Sequence, residues 1–266
     1  MTGQDANTAN ELYCGVDVGA SATKLVLLDA GGEVLARIVH PSGIDYRATA
    51  HRCRDEALAA IGAEAGRPAA TIATGYGRHN VDFASGSLTE IHCHGVGCFH
   101  SSPRAISIID IGGQDNKVIR LEPDGRRANF KMNRKCAAGT GAFLEEIALR
   151  LGLQLEELDP LAQGADETVK LSSFCTVFAK TEILAHLRQG APVAGIVRGA
   201  FVSVVTRVLE MDSLLGDVLA TGGVVAHNPG IVAILSEKLG RDVKVPPHPQ
   251  FTGALGAALS AMSHTH

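Results

Sequence analysis

The chain has 266 residues, with 24 Lys and Arg against 28 Asp and Glu, a net charge of −4, and 45% hydrophobic residues. These values suit a soluble globular protein; they exclude a hydrophobe-poor disordered chain and supply no basic field for nucleic acid. No apolar run reaches the roughly 18–20 residues of a membrane span, and the polar stretch Met1 to Asn10 is unlike a signal peptide, so a cytoplasmic location with no membrane partner is expected.

Strands are expected near 13–18, 23–29 and 33–40, a helix near 47–65 and a strand near 70–74. The chain then divides near Ser101-Ser102-Pro103. Strands follow near 106–111 and 117–122, helices near 141–151, 155–163, 176–189 and 193–213, a strand near 217–221, a helix near 229–239, a strand near 243–245 and a helix near 252–262. Each half opens with strands and continues with helices, which argues α/β layers. The expected domains are 1–103 and 104–266, with the C-terminal helix free to return to the first.

A repeat lies inside this order. Tyr13–Asp29 and Ile106–Glu122 both run as an apolar strand, a glycine turn and a second apolar strand. When Asp17 is set on Asp110, Gly19 falls on Gly112, Lys24 on Lys117, Asp29 on Glu122 and Gly32 on Gly125, all at an offset of 93 positions. Each unit reads as a β-hairpin whose tip glycine lets the backbone approach a ligand. An acid ahead of that glycine suits a water-coated Mg²⁺. Two such hairpins are expected to grip the phosphates of a nucleotide. A third glycine site, Thr221-Gly222-Gly223 after an apolar stretch, would let a flat purine or ribose approach, and Pro229 suits the first turn of the helix that follows.

The six cysteines are Cys14, Cys53, Cys93, Cys98, Cys136 and Cys175, with no CxxC pair among them. A disulfide framework is not expected in a cytoplasmic chain, and a self-contained zinc ribbon or ferredoxin run is absent. Cys14 reads as core and Cys53 as part of a helix. The stretch His92–His100 holds three His and two Cys within nine residues, which admits a metal site, although its cysteines are not expected to be ligands.

Asp17-x-Gly19…Lys24, Asp110-x-Gly112-Gly113 and Thr221-Gly222-Gly223 resemble the phosphate-1, phosphate-2 and adenosine motifs of the acetate-kinase/sugar-kinase/Hsp70/actin superfamily. Asn133-Arg-Lys-Cys-Ala-Ala-Gly-Thr-Gly and Phe174-Cys-Thr-Val-Phe-Ala-Lys are similar to the cysteine motifs of 2-hydroxyacyl-CoA dehydratase activators and the ATPase subunits of benzoyl-CoA reductase. The resemblance runs from Gly15 to Leu259. It implies two actin-like (ribonuclease H-like) α/β domains with a nucleotide cleft between them. It also implies ATP hydrolysis coupled to single-electron transfer from a [4Fe–4S] cluster.

Under this resemblance Cys136 and Cys175, 39 residues apart, are the metal ligands. Four thiolates are wanted by such a cluster, so a C2 homodimer is implied, with one cluster on its axis. Both cysteines are expected just ahead of helix N-termini, whose N–H groups favour thiolates, with Gly139, Thr140 and Gly141 bringing backbone amides close. Asp110, Asp17 and Gln114 are the expected catalytic residues. Gly19, Ala20, Ser21, Thr23, Lys24, Gly112, Gly113, Asp115, Thr221, Gly222, Gly223 and Gly253 are the expected contacts to ATP and Mg²⁺. The implied partners are a CoA-thioester dehydratase or reductase component and a donor such as ferredoxin or flavodoxin. A benzoyl-CoA reductase subunit and a small-molecule kinase of the same superfamily remain the alternatives, although no acceptor motif for a kinase is evident.

Overall fold

A computed structural model describes residues 11–62, 66–133, 136–171 and 176–263. The chain divides into two compact units. The first comprises Met1–Arg104, Pro123–Arg127 and Gln250–His266, and the second Ala105–Glu122 and Ala128–Pro249. No helix among the described residues is long and apolar enough to cross a membrane.

The first unit is built on β1 (Tyr13–Val18), β2 (Ala22–Leu28), β3 (Val34–Pro41), β4 (Ala70–Thr74) and β5 (Gly86–Ser87), in the order 3-2-1-4-5. β1 and β2 are apolar and almost wholly buried, as a strand covered on both faces must be. Helix α1 (Tyr46–Ile61) starts where the Asp45 side chain accepts a hydrogen bond from the Ala48 amide at 2.9 Å, and it ends at Gly62 with φ +99°. Its Ala50, Cys53 and Ala57 pack on one face of the sheet with Cys14, Val16, Leu25 and Leu27. Helices α2 (Glu90–Ser101) and α9 (Thr252–Ser263) serve the other face, where Tyr13, Val26, Leu28 and Ile72 meet Cys93 and the alanines 254, 257, 258 and 261.

The second unit repeats the sheet. β6 (Ile106–Ile111), β7 (Asn116–Leu121), β8 (Arg127–Asn133), β9 (Asp217–Thr221) and β10 (Val243–Lys244) run in the order 8-7-6-9-10. Helices α3 (Gly141–Leu151), α4 (Leu155–Gln163), α5 (Thr176–Arg188), α6 (Val193–Leu209), α7 (Gly223–His227) and α8 (Pro229–Leu239) complete it. One core joins Ile109, Ile111 and Val118 of the sheet to Phe143, Ile147, Phe201, Val204 and Ile231. β8 is an edge strand, mostly exposed, with charged side chains that discourage further pairing. Its Lys131 reaches Asp212, which also holds Arg120 of β7 at 2.8 Å. Burial opposes ionisation of Asp212, but the Leu214 amide and these two cations outweigh it and hold its carboxyl below the usual range.

The expected elements all form, within a few residues. Four were not expected: α2, β5, β8 and the short α7. α2 contains Gly95 and Gly97, poor helix formers. Tertiary contact overrides that propensity. A methyl on Gly97 would lie 2.1 Å from the Thr252 carbonyl oxygen, and one on Gly256 would lie 1.8 Å from the Cys93 carbonyl oxygen. Gly15 of β1 is as tightly placed, 2.0 Å from the Ala254 oxygen on the same measure. Since backbone rather than side chain blocks the added carbon, Gly256→Ala is expected to destabilise the first unit by about 3 kcal/mol. A lowered thermal or urea midpoint is the check; an unchanged midpoint would show that the helices separate without cost.

Candidate functional site

The two hairpins share one geometry. Asp17 at the end of β1 is cross-strand partner to Lys24, and Asp110 at the end of β6 is cross-strand partner to Lys117. The tips close alike: the Gly19 amide donates to the Ala22 carbonyl at 3.1 Å, and the Gly112 amide to the Asp115 carbonyl at 2.9 Å. Both acids are buried, Asp17 at 5% exposure and Asp110 at 2%.

Each acid also meets a Thr-Gly pair on the neighbouring parallel strand. Asp17 is in register with Thr74 and Asp110 with Thr221. Gly75 (φ +87°) and Gly222 (φ +102°) follow, and a methyl there would lie 2.5 Å from Asp17 Oδ1 and 2.8 Å from Asp110 Oδ1. Only glycine allows both the positive φ and the approach. Gly75 is not among the sequence candidates. Its signal is present, since Ala73-Thr74-Gly75 and Ala220-Thr221-Gly222 are the same tripeptide.

The lysines differ. Lys24 Nζ lies 3.3 Å from Asp17 Oδ2 and stays partly exposed. Lys117 Nζ is buried, 3.0 Å from Asp110 Oδ2 and 2.6 Å from Asp115 Oδ1. The repeat pairs the two lysines, yet Lys117, outside the sequence candidates, is the more enclosed. A buried carboxylate stripped of its cation is strongly unfavourable.

The remaining candidates separate into those at the hairpin tips and those engaged elsewhere. Ala20, Ser21 and Gln114 are exposed, and Gly19, Gly112, Gly113 and Asp115 are half-buried. The Thr23 hydroxyl is fully buried and shares a hydrogen bond of 2.9 Å with Ser42, whose Oγ in turn donates to the Gly19 carbonyl at 2.7 Å. Thr23 therefore braces the first tip from behind. The Thr221 hydroxyl donates to the Pro249 carbonyl at 2.6 Å, and the Gly222 amide bonds to that same oxygen, which fixes the turn leading into Gly223. Gly253 stands at the first carboxylate: a methyl there would lie 3.1 Å from both Asp17 Oδ2 and His94 Nε2. His94, buried on α2 with Nδ1 3.0 Å from the Thr252 hydroxyl, thus belongs to the surroundings of Asp17.

The cysteines sort by environment. Cys14, Cys53, Cys93 and Cys98 are buried and Cys136 is exposed; Cys175 lies outside the described residues. Burial pushes the thiols of Cys14 and Cys93 up to about 12 and that of Cys53 up to about 11. Among the described residues no group of three or more His, Cys, Asp or Glu is placed to hold a metal ion. The His92–His100 stretch is instead one amphipathic helix, with Cys93, His94 and Cys98 turned inward and His92 and His100 exposed.

Cys136 sits five residues before α3. Thr140, at the helix N-cap, spends its hydroxyl on the Ala137 carbonyl at 2.7 Å. The first helical amides are also spent: Gly141 N–H donates to the Gly112 carbonyl at 2.9 Å and Ala142 N–H to the Gly113 carbonyl at 2.8 Å. The Gly141 amide, expected near the sulfurs, is here engaged by the hairpin tip. These donors seat the helix on the second hairpin, because carbonyls at the tip compete successfully for them.

A family model, the BadF/BadG/BcrA/BcrD ATPase family, matches residues 14–261. The chain belongs to this ATPase family. It is 42% identical over 250 residues to the activator of lactoyl-CoA dehydratase from Anaerotignum propionicum, covering 93% of this chain and 96% of that protein. It superposes with a TM-score of 0.89 and 38% identity on component A of the Acidaminococcus fermentans (R)-2-hydroxyglutaryl-CoA dehydratase, over 96% and 98% of the two chains. The activator of the 2-hydroxyisocaproyl-CoA dehydratase from Clostridium difficile, solved with bound ADPNP, gives 0.88 and 36%, over 95% of each chain. The α/β fold is the actin-like one expected from the motifs.

Two outcomes follow from this geometry. Lys117→Met leaves Asp110 and Asp115 without their shared cation and is expected to cost about 3–5 kcal/mol of stability at neutral pH, read by urea denaturation. Among the five described cysteines of the native, metal-free protein, iodoacetamide at pH 8 is expected to alkylate Cys136 alone, with the other four reacting only after denaturation. Mass spectrometry of the peptides decides this, and rapid native labelling of Cys93 or Cys14 would contradict the burial argument.

Proposed function

We propose that this protein is an ATP-hydrolysing activator of a 2-hydroxyacyl-CoA dehydratase, in which two copies of the chain share one [4Fe–4S] cluster. The observation that carries the reading is the joint between the second hairpin and the cysteine segment. Gly112 and Gly113, at a phosphate-type turn, hold the first amides of the helix that follows Cys136. A nucleotide at that turn acts on a cysteine through backbone bonds. A kinase has no use for an exposed cysteine fixed there.

In this reading Asp110 orients the attacking water, and Asp17 and Asp110 hold Mg²⁺ through its water shell. Asp115 and Lys117 keep Asp110 in place, and Gln114 at the exposed tip reaches toward the water. Gly19, Ala20, Ser21 and Lys24 of the first hairpin and Gly112 and Gly113 of the second approach the phosphates. Thr221, Gly222 and Gly223 border the nucleoside, and Gly253 leaves room beside Asp17.

Cys136 and Cys175 from each copy are the cluster ligands. The donor set fits: Cys136 is exposed, whereas the other described cysteines are enclosed, and one chain offers too few thiolates for a cluster of its own. When bound, the cluster supplies one electron at a time at low potential. The protein's own contribution is to vary the surroundings of the sulfurs with nucleotide state. The partners this chemistry would call for are a small electron donor of the ferredoxin or flavodoxin type and, as acceptor, a dehydratase component acting on a CoA thioester. Identities of 36–42% to three dehydratase-activating proteins, against 30% to a benzoyl-CoA reductase subunit over a similar share of the chain, favour this over a reductase subunit.

Anaerobic purification tests the proposal. The expected product is a brown dimer with about four irons per two chains and ATPase activity. Cys136→Ala is expected to lose iron while still binding ATP, and Asp110→Asn to keep iron but lose about a hundredfold or more in ATP turnover. Full iron content in Cys136→Ala would refute the ligand assignment.

A further inference from the structure

We infer that Asn116 is a positioning residue that passes the state of the second hairpin to the Cys136 segment, an inference that rests on the activator reading above. Asn116 opens β7 between Asp115 and Lys117. Successive strand residues face opposite sides of a sheet. Its two neighbours therefore turn toward the Asp110 carboxylate, where both pair with each other and Lys117 pairs with the acid. Asn116 turns the other way. Its Nδ2 donates to the Gly139 carbonyl at 2.6 Å, three residues after Cys136. One strand thus touches the catalytic acid with one side chain and the cysteine segment with the next.

The receiving end is built to take that contact and little else. Gly139 has φ +85°, and a methyl there would lie 2.7 Å from Arg207 Cβ and 3.4 Å from Asn116 Nδ2. The turn is therefore wedged between α6 and the Asn116 amide, and the Gly141 and Ala142 amides pin its far end to the hairpin tip. Backbone bonds cannot be removed by changing a side chain, whereas the Asn116 amide can be deleted by substitution without touching a carboxylate.

Asn116 is also half satisfied. It is 1% exposed, and its Oδ1 has no hydrogen-bond partner among the described residues. An unmet buried acceptor is costly, and native structures keep few of them. Here it leaves the amide able to exchange partners: when a ligand shifts the hairpin, Oδ1 can accept an N–H from the moving turn as Nδ2 releases Gly139. The cysteine segment then has two discrete settings in place of a continuous drift, which is what coupling between two sites requires.

The test compares wild type with Asn116→Ala, both as the full chain without iron, by following alkylation of Cys136 with and without Mg·ADPNP. Wild type is expected to change its alkylation rate about fivefold or more on adding nucleotide. The variant is expected to bind ADPNP within about threefold of wild type while its alkylation response collapses toward unity. An undiminished response in Asn116→Ala overturns the inference. So does a wild type that binds ADPNP with no change at Cys136, an outcome that leaves the ATP assignment standing. A wild type that binds no nucleotide refutes the activator reading and the inference together. If Asn116→Ala loses cooperative unfolding, Asn116→Ser, which is too short to reach Gly139, is judged by the same response. Hydrogen exchange at the Gly139–Ala142 amides of wild type, expected to change with nucleotide, provides a check that needs no variant.

Discussion

Two buried carboxylates set the terms for the rest of this structure. Asp17 and Asp110 sit at the ends of central strands, where losing water penalises their charge. Each needs a cation across the hairpin, and the strand register supplies one in both cases. Each also crowds a neighbouring strand so closely that only glycine can follow the threonine there. The duplicated sequence pattern is therefore the trace of one electrostatic problem solved twice in the same way.

The two solutions are not equal. Lys117 is enclosed and shared between two acids, whereas Lys24 keeps part of its surface in water. The second hairpin thus holds two carboxylates on one enclosed cation, and it is this hairpin that carries the helix following Cys136. The first hairpin, braced from behind by Thr23 and Ser42, has its lysine freer to follow an arriving anion.

Much of this was legible in the sequence. The offset of 93 residues announced the paired hairpins, and apolar runs bounded by glycine announced their strands. Some of the parts that escaped depend on contacts distant in sequence, and others carried a signal that was not read. α2 is helical because its glycines dock against α9, more than 150 positions away, and local propensity opposes that outcome. β8 does alternate, with Ala128, Phe130 and Met132 set between Arg127, Asn129, Lys131 and Asn133, so its signal was present and was missed. Lys117 and Asn116 matter through what surrounds them in space, and a spacing rule registers only that they are present. Gly75 was visible in principle, because Ala-Thr-Gly occurs twice, but the second copy is distinguished by a following glycine and the first by Tyr76.

The interlocked glycines of α2 and α9 bear on how the protein is made. Helix α9, at residues 252–263, supplies four alanines to the core of the first unit, whose own strands and α2 are synthesised much earlier. On the ribosome the share of that face that α9 covers stays open while the intervening second unit is translated. The second unit, contiguous apart from a short excursion, has no such wait. The core of the first unit is therefore completed only once α9 is made, and until then its sheet exposes apolar surface of the kind that favours aggregation.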